Sequence, residues 1–152
     1  MPALAASSVE IELQGDIPAV CGVSEMSGRF DFQAALAGAS QQFSMSVDCN
    51  VPYTLQASSR NGGLLSNGPS GSGVANKVEY DLSISVPTTG APLQLTCASS
   101  ALAGGECGRI DSGNEISADQ IGWVSMQLRN VSALLTAGEF DDVIVVQVYP
   151  QS

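Results

Sequence analysis

The residues of this sequence able to do chemistry are few, and the first are four cysteines, Cys21, Cys49, Cys97 and Cys107. No two of them have the CxxC spacing of a thiolate metal site or a redox couple, so structural disulfides are their default use. Three pairings are open. Joining sequence neighbours gives Cys21 with Cys49 and Cys97 with Cys107, the second closing a Gly-rich loop of hairpin type from Ala98 to Glu106. On the chain-entropy account these bridges contribute about 3.6 and 2.7 kcal/mol. Disulfides imply an oxidising compartment: bacterial periplasm, cell surface or medium.

The remaining reactive types form no constellation. Glu139, Asp141 and Asp142 suggest calcium, but the EF-hand spacing of ligands is absent and acidic turns are usually just solvated. Asp111, Glu115 and Asp119 are discounted for the same reason. The chain has no His, which removes the commonest general base and zinc ligand, and Lys77, the sole lysine, has no motif for a Ser-Lys pair. Trp123 and Tyr80 could stack on a sugar, although a Trp on a strand is more often core. The expectation is therefore no enzyme, no cofactor and no metal. Fifteen Asp plus Glu against five Lys plus Arg give a net charge of −10, which argues against a nucleic-acid partner.

The elements that must carry these residues read as strands. Of the 152 residues 44% are hydrophobic and 13% charged, with 16 Gly and 7 Pro, the composition of short strands joined by turns. Val9, Ile11, Leu13, Gly15, Ile17, Ala19 and Cys21 alternate with Glu10, Glu12, Gln14, Asp16 and Pro18, the period-two pattern of a half-buried strand. Further strands are expected at Arg29 to Phe32, at Phe43 to Cys49, and at Val51 to Ala57 after a turn at Asn50. Ser58 to Asn76 is Gly-, Ser- and Asn-rich and reads as an exposed loop. Val78 to Val86 and Leu93 to Cys97 alternate again, Ile121 to Leu128 gives another strand, and Ala133 to Leu135 a brief helical turn or a plug. Ala137-Gly138-Glu139 turns into Phe140 to Tyr149.

That last segment is different. Val143 to Val146 is apolar on both faces, as in a strand inside a sheet, and such a strand needs a neighbour on each edge. No following segment supplies one. No repeat or linker divides the chain, so one domain of seven or eight strands is expected, an immunoglobulin-like sandwich. No apolar run reaches the 18 to 20 residues of a membrane helix, so no membrane span is expected. Ala3-Leu4-Ala5 reads as either the small-residue end of a signal peptide or an accident of composition.

Three features then combine. They are Cys49-Asn50-Val51-Pro52-Tyr53-Thr54-Leu55, the Cys21 to Cys49 spacing, and the ending Leu135-Thr136-Ala137-Gly138-Glu139-Phe140-Asp141-Asp142-Val143-Ile144-Val145-Val146-Gln147-Val148-Tyr149. Together they resemble the spore coat protein U domain, the family that contains the major pilins of archaic chaperone-usher pili. The long loop and the extra pair Cys97 and Cys107 depart from the usual pattern. The resemblance implies an all-β, immunoglobulin-like fold lacking its last strand. A periplasmic chaperone and an outer-membrane usher would complete and export it, with the signal peptide removed. In an extracellular fibre on the bacterial surface the missing strand would come from the next subunit, giving a homopolymer that serves adhesion or biofilm formation.

On this reading residues 1–18 are an extension whose donor strand, about 8–17, offers Val9, Ile11, Leu13, Gly15 and Ile17. Residues 19–152 are the pilin domain, with an acceptor groove along Val143, Ile144, Val145, Val146 and Val148. Without the resemblance, Val9 to Ile17 serves equally well as the first strand of its own sandwich. Gly15 marks either a place where no side chain fits or a pocket left open for exchange of register. The alternative function is a tip-located or secreted module that binds carbohydrate or another receptor.

Overall fold

A computed structural model describes residues 7–25, 40–131 and 134–151. Along the chain run β1 (Cys21–Glu25), β2 (Ser40–Cys49), β3 (Tyr53–Ser59), β4 (Leu64–Leu65), β5 (Val74–Ala75), β6 (Lys77–Val78), β7 (Tyr80–Val86) and β8 (Leu93–Ala98). A short helix α1 (Ser99–Gly104) follows, then β9 (Arg109–Asp111), β10 (Ser117–Leu128), β11 (Leu134–Leu135) and β12 (Ile144–Pro150). The long strands form where apolar residues recur every second position, because that spacing gives a pleated segment one oily face. So β2 sends Met45, Val47 and Cys49 inward, β7 sends Tyr80, Leu82, Ile84 and Val86, and β10 sends Val124, Met126 and Leu128.

These strands make an all-β sandwich. One layer is an antiparallel sheet in the order β1-β2-β10-β7-β8, the other a three-stranded sheet β12-β3-β9. The core lies between them, with Tyr53, Leu55 and Ala57 of β3 facing the inward residues of the larger sheet. Both disulfides join the sequence neighbours, Cys21 with Cys49 and Cys97 with Cys107. No helix among the described residues is long and apolar enough to cross a membrane.

Several elements differ from the sequence reading. The stretch 58–76 is not simply an exposed loop: Ser59, Gly62, Gly63, Leu64 and Ser66 are buried, and β4 and β5 lie within it. Its polar residues satisfy the backbone locally, as where Gly62 N–H donates to Ser59 Oγ at 2.9 Å, so a Gly/Ser-rich segment can be ordered without an apolar stripe. The loop between Cys97 and Cys107 is not a hairpin. Ala101, Leu102 and Ala103 favour helix, Leu102 buries its side chain, and Gly105 (φ 77°) ends the turn in a left-handed conformation with its N–H on Ala101 O. Strand β9 was not foreseen. It is three residues long, too short to show a period, and Gly108 sets it against β3, with Ala57 N–H donating to Gly108 O at 2.6 Å. Leu134–Leu135 is a strand paired in parallel with β5, not a helical turn. The expected strand at Arg29 to Phe32 lies outside the described residues, as does Ala3-Leu4-Ala5.

Candidate functional site

The segment with the cleanest alternation is the one that forms no strand. Residues 7–20 take no regular structure, and Val9, Ile11, Leu13 and Ile17 are 83%, 76%, 90% and 84% exposed. The half-buried strand expected at Val9 to Cys21 is therefore absent from the single chain until Cys21, where β1 begins. The reason is physical: a period-two segment becomes a strand only when a sheet edge accepts its backbone, and among the described residues none does. A Cβ added at Gly15 would meet nothing within 4 Å, so its lack of a side chain answers to no contact inside this chain.

The extension has a fixed root. Asn50 N–H donates to Val20 O (3.0 Å), Val20 N–H donates to Asn50 Oδ1 (2.8 Å) and Asn50 Nδ2 donates to Pro18 O (3.0 Å). The Cys21–Cys49 disulfide sits immediately beyond, joining two directly opposed positions of the β1–β2 ladder. Asn50 thus carries the pairing past the bridge, and the chain is free only before Pro18.

At the other end of the sequence, β12 pairs among the described residues with β3 alone, from Ile144 opposite Ser59 to Pro150 opposite Tyr53. It is an edge strand, not the interior strand that its double-sided apolarity suggested. Its side chains alternate: Ile144, Val146 and Val148 turn toward the core but remain only partly buried, whereas Val145 and Tyr149 face outward, 45% and 43% exposed. Val143 precedes the strand and is also exposed. Of the five proposed groove residues, then, three line the sandwich interior and two do not. Beside them lies β1, the edge of the other sheet, whose Val23 is likewise only partly buried. No ladder joins β1 to β12. Among the described residues the sandwich is open along this edge.

Strand directions follow from the registers. β1 begins, and β12 ends, at the pole formed by Cys49, Asn50 and Tyr53. The extension joins at that same pole, so to enter its own cleft it must double back at Pro18 to Val20 and run parallel to β12. A strand from another molecule can run antiparallel to β12, the pairing with the better hydrogen-bond geometry.

The opposite pole, where β12 starts, is locked by Asp142. Its Oδ2 accepts from Ser59 Oγ (2.5 Å) and from the Tyr80 hydroxyl (2.6 Å), and its Oδ1 accepts from Asn61 N–H (2.9 Å) and Val143 N–H (2.8 Å). Burial, reinforced by the Asp142 carboxylate, pushes the Tyr80 hydroxyl well above the usual tyrosine range. Four donors on one carboxylate account for Asp142 as a structural clamp rather than a calcium ligand. Tyr80 is buried and unavailable to a sugar, whereas Trp123, expected in the core, is 48% exposed on the outer face of the larger sheet, opposite Ser44 and Ser85. It sits there because β10 turns Val124 and Met126 inward, which puts Trp123 on the other side of the pleat.

No known family model matches the chain, and no curated protein matches it.

Proposed function

We propose that this protein is a structural subunit that polymerises by donating its N-terminal extension to the open edge of the next copy, as the resemblance to archaic chaperone-usher pilins implies. The observation that carries the reading is the pairing of two exposed features. One is the apolar stripe Val9, Ile11, Leu13 and Ile17, projecting into solvent. The other is a strand edge, unpaired among the described residues, whose inward residues Ile144, Val146 and Val148 are only partly covered. Each is costly alone, since exposed apolar rows and open strand edges attract partners. Burying the four side chains contributes about 6 to 12 kcal/mol before ordering costs, at about 1.5 to 3 kcal/mol each, with ladder hydrogen bonds added.

A strand handed to a neighbour makes a head-to-tail contact that propagates as a filament rather than closing as a dimer. Each subunit would be exported through the periplasm, its edge covered by a chaperone and its release directed by an usher, to end in a surface fibre for adhesion or biofilm formation. The subunit is not an enzyme on this reading. Gly15, where an added Cβ would meet nothing within 4 Å in its own chain, would meet its neighbour in the acceptor.

The test is to delete residues 9–17 and examine the product by size exclusion and electron microscopy. Filaments from the intact chain and a folded monomer from the shortened one are expected. Filaments that persist after the deletion overturn the reading. A second reading, a carbohydrate-binding module, has one observation in its favour, the half-exposed Trp123 among serines. As the single tryptophan its fluorescence reports directly on that face, and a shift on adding neutral oligosaccharides would favour it.

A further inference from the structure

Strand donation raises a problem of competition: at the low concentration of a free subunit, the nearest extension to any cleft is its own. Tethering gives that extension an effective concentration in the millimolar range, far above that of a dilute neighbour. The connection is also short enough to fold back. Were Pro18, Ala19 and Val20 to form a three-residue turn, residues 9–17 would lie against β1 as a hairpin and run parallel to β12 in their own cleft.

We infer that Asn50 is a positioning residue that keeps the extension out of its own cleft and presents it to another molecule. The inference rests on the strand-donation reading. A hairpin turn at 18–20 must redirect Pro18 O and Val20 N–H, and these are the two groups that the Asn50 side chain holds, at 3.0 and 2.8 Å. The backbone bond from Asn50 N–H to Val20 O and the Cys21–Cys49 bridge keep Val20 in line with β1, so the side chain's task is confined to the direction in which the chain departs. Pro18 assists by fixing its own φ and by stiffening Ile17 before it in extended geometry. The three contacts lie at the protein surface, outside the core, so removing the Asn50 amide does not touch the packing of the sandwich.

The experiment compares the intact chain with Asn50→Ala and Asn50→Asp. Hydrogen exchange of amides 9–17 is followed in dilute monomer, and filament growth by light scattering at higher concentration. In the intact chain these amides are expected to exchange freely. Two hydrogen bonds of ordinary strength bias a two-state equilibrium by about tenfold or more. Asn50→Ala is therefore expected to protect amides 9–17 in the monomer and to slow filament growth about tenfold. Asn50→Asp keeps the acceptor for Val20 N–H and loses the donor to Pro18 O, so it should fall between the two.

A labelled peptide of residues 8–17, added to the dilute intact chain, separates the two ideas. If it binds, but Asn50→Ala changes neither protection nor growth rate by as much as twofold, the role of Asn50 is overturned and strand donation stands. If it does not bind and amides 9–17 are already protected in the intact monomer, both fall.

Discussion

The two long edges of the sandwich are finished differently. Along one, the chain crosses from β8 to β9 itself. Helix α1 covers the crossing with Leu102, the Cys97–Cys107 bridge ties the two ends together, and two of the three inward residues of β8, Leu93 and Cys97, are buried. Along the other, β1 and β12 lie side by side with no element over them among the described residues, and none of the inward residues Ile144, Val146 and Val148 reaches full burial. On the strand-donation reading a partner strand covers the second edge, and the exposed extension is the segment whose pattern fits it.

The contrast can be broken by attacking the closed edge first. Leu102→Ala removes the plug over the β8–β9 crossing and should cost about 2 to 5 kcal/mol in chemical denaturation, the range for a large-to-small change in a full core. Replacing Cys97 and Cys107 together by serine should cost about 2.7 kcal/mol, since the bridge spans 10 residues. If either change left stability untouched, the closed edge would be no better sealed than the open one. Neither change should hinder capture of the extension peptide at the other edge, which binding of residues 8–17 would check.

Tyr80→Phe tests the clamp that starts β12. At neutral pH the loss of a hydroxyl donor to a carboxylate should cost about 1.5 kcal/mol. The pH dependence has a definite sign. The folded chain raises the Tyr80 hydroxyl above its ordinary value near 10, so above that pH the unfolded chain releases a proton that the folded chain retains. Stability from this source is complete below pH 10 and declines as pH rises beyond it, by up to about 1.4 kcal/mol per pH unit. Tyr53, also buried and raised, adds to the slope. Tyr80→Phe should flatten the decline without abolishing it, and an unchanged slope would show that the hydroxyl is not held as described.

The same contrast explains what was legible in the sequence. Alternation identified β2, β7 and β8 because each buries one face against the other sheet, and the residues named as inward there pack against the core, whereas on β10 Trp123 was expected in the core and faces outward. Neighbour pairing of the cysteines was right because antiparallel neighbours bring Cys21 and Cys49 face to face. The errors fall where local pattern and surroundings part. A helix of six residues is too short to display a period, β9 has only three, and the order of 59–66 comes from polar side chains bonding to backbone. At the candidate site the two mistakes are complementary. Val9 to Ile17 has a strand's pattern and no strand, and Val143 to Val148 has an interior strand's apolarity at an edge. On the strand-donation reading both belong to a sheet that a neighbouring molecule completes.

The smallest expected effect is also the sharpest test of that idea. Val146 lies on the inward face of β12 and is only partly buried, so Val146→Ala should lower the stability of the dilute monomer by about 1 kcal/mol or less, from two methyl groups already half in water. If a donated strand covers the cleft, the same methyls become fully buried on binding, and the variant should hold the 8–17 peptide about 3- to 10-fold more weakly. Val145, next along the strand but facing outward at 45% exposure, supplies the control: Val145→Ser should change neither quantity. Equal losses of binding from both substitutions would mean that the peptide reads the outer surface of β12 rather than the interior of the sandwich. In that case the open edge would be a surface strand with an oily flank, and the extension would need another destination.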